Sequence, residues 1–162
     1  MRLGILSDTH DRLTRTLHAV ELLREAGAEA LVHCGDLTGP AVVAACAVLP
    51  CTFVLGNNDS DNVPALQKAM AEVAAVFLGW GGEVTLAGKR VGVVHGHMHT
   101  DVRRLLAARP DYLLSGHSHF AADQRVGPTR RINPGALHRA EQFTVALLDL
   151  ETDALQFLTV PR

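Results

Sequence analysis

Nine histidines stand in a chain of 162 residues, and five of them fall in two short stretches, His95, His97 and His99, then His117 and His119, each spaced by two. Imidazole is the commonest protein metal ligand, and such clustering points to a metal site rather than to scattered core histidines. Carboxylates and amides stand in similar short polar groups: Ser7-Asp8-Thr9-His10, Gly35-Asp36 and Gly56-Asn57-Asn58-Asp59. In extended backbone, alternate side chains point the same way, so Asp8 and His10 are expected to face one ion, as are His117 and His119. Asp8, His10, Asp36, Asn57, His95, His117 and His119 together offer seven ligands of borderline-to-hard character, suited to Mn²⁺, Fe, Zn²⁺ or Ni²⁺. Seven is too many for one tetrahedral ion. It suits two ions roughly 3.5–4 Å apart that share a carboxylate.

The elements that must position these groups read as follows. Leu3 to Ser7 is a buried strand, and Leu13, Leu17, Val20 and Leu23 recur at helical spacing, with Asp11 as the expected N-cap and Gly27 as the stop. Ala30 to His33 is a second strand. A helix opened by Thr38-Gly39-Pro40 ends at Pro50, and Thr52 to Leu55 is a third strand leading into a polar loop over 56–62. Strands alternating with helices predict a parallel sheet with right-handed crossovers. After a short helix over 64–70 come strand-like runs at 73–78, 83–86 and 90–94, a helix over 101–108, and strands at 112–115, 120–126, 130–132, 143–150 and 155–160. So many strands in one chain of this length predict a single domain over 1–162 with two packed sheets flanked by helices. Each polar group follows an apolar strand at its C-terminal end, the edge where open α/β sheets bind ligands. Alone, Asp-x-His reads as a surface turn and Gly-Asn-Asn-Asp as a tight loop. Their joint occurrence, in order, at successive strand ends is what points to one site.

Composition narrows the class. Hydrophobic residues are 48% and charged residues 20% of the chain, which excludes a disordered polymer. Fifteen basic against seventeen acidic residues give a net charge of −2, so no general affinity for nucleic acid or anionic lipid is expected. The longest apolar run, over 41–49, is far short of the roughly 20 residues that span a bilayer. Three cysteines, Cys34, Cys46 and Cys51, have neither metal-type spacing nor an even count, and a reducing cytoplasm is the expected setting.

The order Asp-x-His, Gly-Asp, Gly-Asn-x-Asp, His-Gly-His, Gly-His-x-His resembles the calcineurin-like metallophosphoesterase superfamily. The Gly-Asn-Asn-Asp form and the late Asn133-Pro134-Gly135 are similar to its small YfcE-like phosphodiesterase branch. The resemblance implies a four-layer α/β sandwich, two mixed β-sheets face to face with helices outside. It implies a dinuclear centre of divalent cations, manganese foremost, with iron, nickel or zinc as alternatives. Asp8, His10 and His119 would hold one cation, Asn57, His95 and His117 the other, and Asp36 would bridge them. His97 would lie near the substrate phosphate. Asn58 stands where many members have a histidine that assists the leaving group. An amide can donate a hydrogen bond to a phosphate oxygen but not a proton, so good leaving groups are expected. The implied reaction is in-line attack of a cation-bridging hydroxide on a small or nucleotide-like phosphodiester. Two alternatives stand beside it: a protein-binding scaffold of the same fold, as in Vps29-like proteins, and a phosphomonoesterase or dinucleotide-polyphosphate hydrolase.

Other residues carry lesser expectations. His33 and Cys34 read as buried neighbours of the site, and Asp59, Thr9 and Asn133 as residues that fix its loops. His18 and His99 read as exposed. Trp80 is a candidate aromatic for contact between copies of the chain. Ala136-Leu137-His138-Arg139 receives no function from the resemblance.

Overall fold

The computed structural model describes residues 1–162. Its first sheet runs parallel through β1 (Arg2–Leu6), β2 (Ala30–His33), β3 (Cys51–Phe53) and β4 (Val76–Phe77). On the other side of β1 lie β10 (Thr144–Asp149) and β11 (Leu155–Thr159), each antiparallel to its neighbour, so the order is β11-β10-β1-β2-β3-β4. The second sheet is built from β5 (Gly81–Leu86), β6 (Lys89–Val94), β7 (Tyr112–Leu114), β8 (Ala121–Val126) and β9 (Thr129–Pro134), in the order β5-β6-β7-β9-β8. There β6, β7 and β9 are parallel, and β5 and β8 close the edges antiparallel. Both sheets are therefore mixed.

The alternation of side chains sorts the core into layers. Leu3, Ile5, Ala30 and Val32 point to one face and meet Val91, Val93, Leu114 and Ile132 between the sheets. Leu6 and Leu31 point to the other face, under α1 (Leu13–Glu25), α2 (Pro40–Cys46) and α3 (Val63–Glu72). On the far side of the second sheet, α4 (His99–Ala107) packs Val102 and Leu105 onto Val94 and Leu113. The expected four-layer arrangement of two mixed sheets between helices is present. Strands covered on both faces favour apolar residues at successive positions, which is why β2 begins Ala30-Leu31-Val32 and admits a polar residue, His33, only at its end.

Several expectations shift in detail. The buried stripe of α1 is Thr16, Ala19, Val20 and Leu23, while Leu13 and Leu17 are exposed, so the apolar positions at 13 and 17 do not belong to the core. Asp11 is not the N-cap; Arg12 takes that place, and Asp11 sits at φ 54° with its carboxylate turned onto Gly39. The polar loop is a 3₁₀ turn, Asn57–Asn62. The strand expected over 73–78 shrinks to Val76–Phe77, because α3 runs on to Glu72 and the chain reverses at Ala74, φ 53°. Pro40 does open α2, and Gly27, φ 90°, follows α1.

Leu114 is fully buried between the sheets. Leu114→Ala is expected to lower the unfolding free energy by about 2–5 kcal/mol, read from the urea midpoint, while leaving a folded protein. A midpoint within error of wild type would contradict the packing described.

Candidate active site

The parallel strands of each sheet deliver their C-terminal ends to one edge. Asp8 and His10 follow β1, Asp36 follows β2 and Asn57 follows β3; His95 follows β6, and His117 and His119 follow β7. The first four come from one sheet and the last three from the other. The chain leaves strand geometry to bring the groups together. Asp8 (φ 54°), His10 (φ 43°), Asp36 (φ 58°), His117 (φ 69°) and His119 (φ 63°) are all left-handed. Alternation along an extended segment is therefore not what aims Asp8 with His10 or His117 with His119; left-handed turns do. Such conformations cost energy in non-glycine residues and persist only where their surroundings over-determine them.

Those surroundings are visible. Asp59, fully buried, accepts hydrogen bonds from the backbone N–H groups of Asp36 (2.9 Å), Thr38 (2.7 Å) and Gly56 (2.7 Å). Asp8 Oδ2 accepts from Ser7 Oγ (2.7 Å) and from the backbone N–H of His117 (3.0 Å), so it reaches across to the second sheet. A side chain at Gly116 would collide with Ser7 Oγ and come within 2.7 Å of Asp8 Oδ2, which is why a residue without Cβ stands there. Asn133 Nδ2 donates to the Gly116 carbonyl (2.8 Å) and to Ser118 Oγ (3.0 Å), bracing the loop that carries His117 and His119.

The convergent atoms define the site. Asp36 Oδ2 lies 3.4 Å from His10 Nε2 and 3.3 Å from His95 Nε2. Asp8 Oδ1 lies 3.2 Å from His119 Nε2 and 3.9 Å from His95 Nε2. Two triads thus have ligand atoms close enough for a shared ion: Asp8, His10 and His119, and Asp8, Asp36 and His95. The histidine tautomers suit this. His95 Nδ1–H donates to the Cys34 carbonyl at 2.8 Å, and His119 Nδ1–H donates to the Arg139 carbonyl at 3.2 Å. Each Nε2 is left to face the carboxylates. Asp8 Oδ1, His10 Nε2 and His95 Nε2 are buried and have no hydrogen-bond partner. Buried polar atoms are normally satisfied. Acceptor atoms of like polarity that converge without partners are the donor set of a cation.

The electrostatics run the same way. Burial raises the pKa of Asp36, but His10, His95 and Asn58 together outweigh it and hold this carboxyl well below the usual range. Burial lowers His95, and the carboxylates of Asp36 and Asp8 overcome it, so the net shift is upward. His117 and His97 are pulled down by burial and then by the charge of His95. His117 rests 5.1 Å from the His95 ring, and His97 lies 5.5 Å from His95 and 6.2 Å from His117. Asn57 and Asn58 line a cleft of about 360 Å³ together with His10, Asp36, His117, His119, His138 and Arg139. The Asn58 side-chain N–H donates to Asp36 Oδ2 at 2.7 Å and its backbone N–H to Asp36 Oδ1 at 2.9 Å. One of its two amide hydrogens is thereby committed to Asp36.

A family model, the calcineurin-like phosphoesterase superfamily domain, matches residues 1–153. The chain belongs to that superfamily. Phosphodiesterase MJ0936 of Methanocaldococcus jannaschii is 27% identical over 160 residues, covering 93% of this chain and 94% of that one. The solved structure of an archaeal phosphodiesterase superposes with a TM-score of 0.89 at 24% identity, over 99% of this chain and 100% of that one. YfcE, a phosphoesterase from E. coli, superposes with a TM-score of 0.67 at 20% identity, again over 99% and 100%. Membership of a metallophosphoesterase superfamily implies divalent cations, and the donor set above fits them.

Of the residues expected nearby, His33 is fully buried. Its Nδ1 accepts from the Gly35 N–H at 3.2 Å, which leaves Nε2–H for Thr9 Oγ1 at 3.1 Å. Thr9 Oγ1 in turn donates to the Asp36 carbonyl at 3.4 Å. Cys34 is buried with its thiol pKa pushed up by burial, and only its carbonyl serves the site. His18 and His99 are exposed, and His99 opens α4. Sequence reasoning named Ser7 only as part of a polar group and gave His138 and Arg139 no role, yet Ser7 bonds Asp8 and the other two line the cleft. The signal for Ser7 was its place directly before Asp8, and for His138 and Arg139 a polar pair after Asn133-Pro134-Gly135.

Burial, with the charge of His95, lowers the His33 pKa from 6.5 to about 3. The unfolded chain therefore takes up a proton near pH 6.5 that the folded chain refuses until about pH 3. The stability this neutral ring contributes is complete above pH 6.5 and is lost as the pH falls through that window, by up to about 1.4 kcal/mol per pH unit. His33→Gln, which keeps an acceptor and a donor but does not titrate, is expected to flatten the fall in melting temperature between pH 6.5 and 4. Equal slopes in chelator-treated wild type and variant would refute this role.

Proposed function

We propose that the protein is a phosphodiesterase with a dinuclear centre, in which Asp8, His10 and His119 hold one divalent cation, Asn57, His95 and His117 the other, and Asp36 is shared. The observation that carries this reading is Asp36 Oδ2, placed 3.4 Å and 3.3 Å from imidazole nitrogens on two different sheets, those of His10 and His95. A carboxylate between two nitrogen donors is the disposition a bridging ligand needs. The names of the relatives support the class of reaction. Manganese is the first choice of metal, with iron, nickel and zinc as alternatives.

The cations would supply a nucleophile from water near neutral pH and offset charge on the phosphate oxygens. The chain does the remainder. Asp36 stays ionised, because its neighbours hold its carboxyl low. The left-handed loops and Asp59 hold the donors in place, so little reorganisation is left for the reaction. His97, half-buried with Nδ1 lacking a partner, stands beside His95 and His117 as a donor to phosphate; its lowered pKa makes it a neutral donor rather than a cation. Asn58 offers its second amide hydrogen to the cleft while the first keeps Asp36 in place. Neither amide hydrogen is acidic, so no proton passes from Asn58 to the leaving group.

Chelator-stripped protein is expected to regain hydrolysis of bis-p-nitrophenyl phosphate when Mn²⁺, Ni²⁺, Zn²⁺ or Mg²⁺ is restored, with p-nitrophenyl phosphate cleaved more slowly. His117→Ala is expected to lose at least as much kcat/KM as the roughly 10–100-fold typical of removing a partner that merely orients a ligand. Preference for the monoester would favour a phosphomonoesterase. Bound metal without turnover of any diester would favour the scaffold.

Replacing the p-nitrophenolate leaving group by an alkoxide is expected to slow the reaction steeply, since no acid stands at position 58. Equal rates for the two leaving groups would overturn that account of Asn58.

A further inference from the structure

The cleft has a cationic end that the reading above does not use. The His138 ring lies 4.5 Å from the His10 ring, and its Nδ1 accepts a hydrogen bond from Arg12 Nε at 3.3 Å. Arg139 lines the same cleft. Its backbone carbonyl accepts from His119, while φ 46° holds it in a conformation that residues with side chains rarely adopt. The structure spends strain at Arg139 as it does at the candidate ligands.

Arg2, Arg24, Arg90, Arg104, Arg125 and Arg130 each have a carboxylate within 4.0 Å. Arg12 and Arg139 have none, and both are exposed; Arg15, Arg103, Arg109, Arg131 and Arg162 also have none, but of these seven only Arg139 lines the cleft and only Arg12 bonds the side chain of a cleft residue, His138. The neighbouring Asp11 is turned away onto Gly39. Asp36 is the one acidic residue lining the cleft, and it belongs to the donor set. Two guanidinium groups without counter-ions, at one end of the cleft proposed to take a phosphodiester, are placed to receive a second anion from the substrate. Their planar forks match phosphate in two-point contact.

We propose that Arg12, oriented by His138, and Arg139 form a subsite for a second phosphate of the substrate, so that the preferred substrates are phosphodiesters carrying a further phosphate group. The inference rests on the phosphodiesterase reading. It makes the uncharged-ended diester a poor substrate by design and gives the chain a means of selecting among diesters that the donor set alone lacks.

The test compares thymidine 5′-(p-nitrophenyl phosphate) with the same ester bearing a 3′-phosphate, both read as release of p-nitrophenolate by the metal-loaded protein. Wild type is expected to favour the 3′-phosphorylated ester about 10-fold or more in kcat/KM, the range of a charge-assisted contact. Arg12→Ala combined with Arg139→Ala brings the ratio towards one, and Arg139→Glu takes it below one. Both rates come from one preparation, so a loss of folded protein cancels in the ratio. Hydrolysis by wild type without a preference, or a preference that both variants keep, would overturn the inference alone. Failure of wild type to cleave either ester or bis-p-nitrophenyl phosphate would overturn the phosphodiesterase reading and the subsite with it.

Discussion

Two buried carboxylates and three imidazole nitrogens must occupy a space a few ångströms across, with their electron pairs facing inward. Nothing about folding favours that concentration of acceptors. Each would be better hydrated in the unfolded chain, and Asp8 Oδ1, His10 Nε2 and His95 Nε2 find no donor in return. The rest of the edge is built to hold them there. The Asp59 carboxylate ties three backbone N–H groups, Asn58 grips both oxygens of Asp36, and the carbonyls of Cys34 and Arg139 fix two imidazole tautomers. Deep apolar packing between the sheets stabilises strands whose ends are strained.

This division of labour explains what could be read from the sequence. The candidate ligand types were legible because each stands after an apolar strand, and strands buried on both faces announce themselves as apolar runs such as Ala30-Leu31-Val32. The four-layer arrangement followed from the strand count and the resemblance together. What misled was local. Spacing by two residues suggested alternation along a strand, whereas Asp8, His10, His117 and His119 converge through left-handed turns. Asp and His adopt left-handed backbone more readily than most residues, but that tendency does not say where such a turn falls; here Ser7 next door and Asp59 and Asn133 from distant parts of the chain fix it. Leu13 and Leu17 fitted a helical stripe equally well, and only packing against β1 and α2 decided that Thr16 and Ala19 face inward.

Arg12, His138 and Arg139 received no role from the sequence for another reason. Arg12 lies more than a hundred residues before His138 and Arg139, and they meet only because β9 runs parallel to β7, which carries its following residues to the same edge as the candidate metal donors. A guanidinium without a carboxylate looks unremarkable in a list of surface residues. Beside a cleft with no other free acid it defines what the cleft lacks.

The donors come from both sheets, and this has a mechanical consequence. Asp8, His10 and Asp36 ride on one sheet, His95 and His119 on the other, and the layers between them are joined by apolar packing and, at this edge, by hydrogen bonds such as those from His117 N–H to Asp8 and from His95 to the Cys34 carbonyl. A cation seated among these atoms would act as a rivet through the edge of the sandwich: by binding the folded chain alone it would stabilise the pairing of the two sheets, the more so the further its concentration exceeds its dissociation constant. The site and the fold are then loaded through the same joint, and loosening either one loosens both.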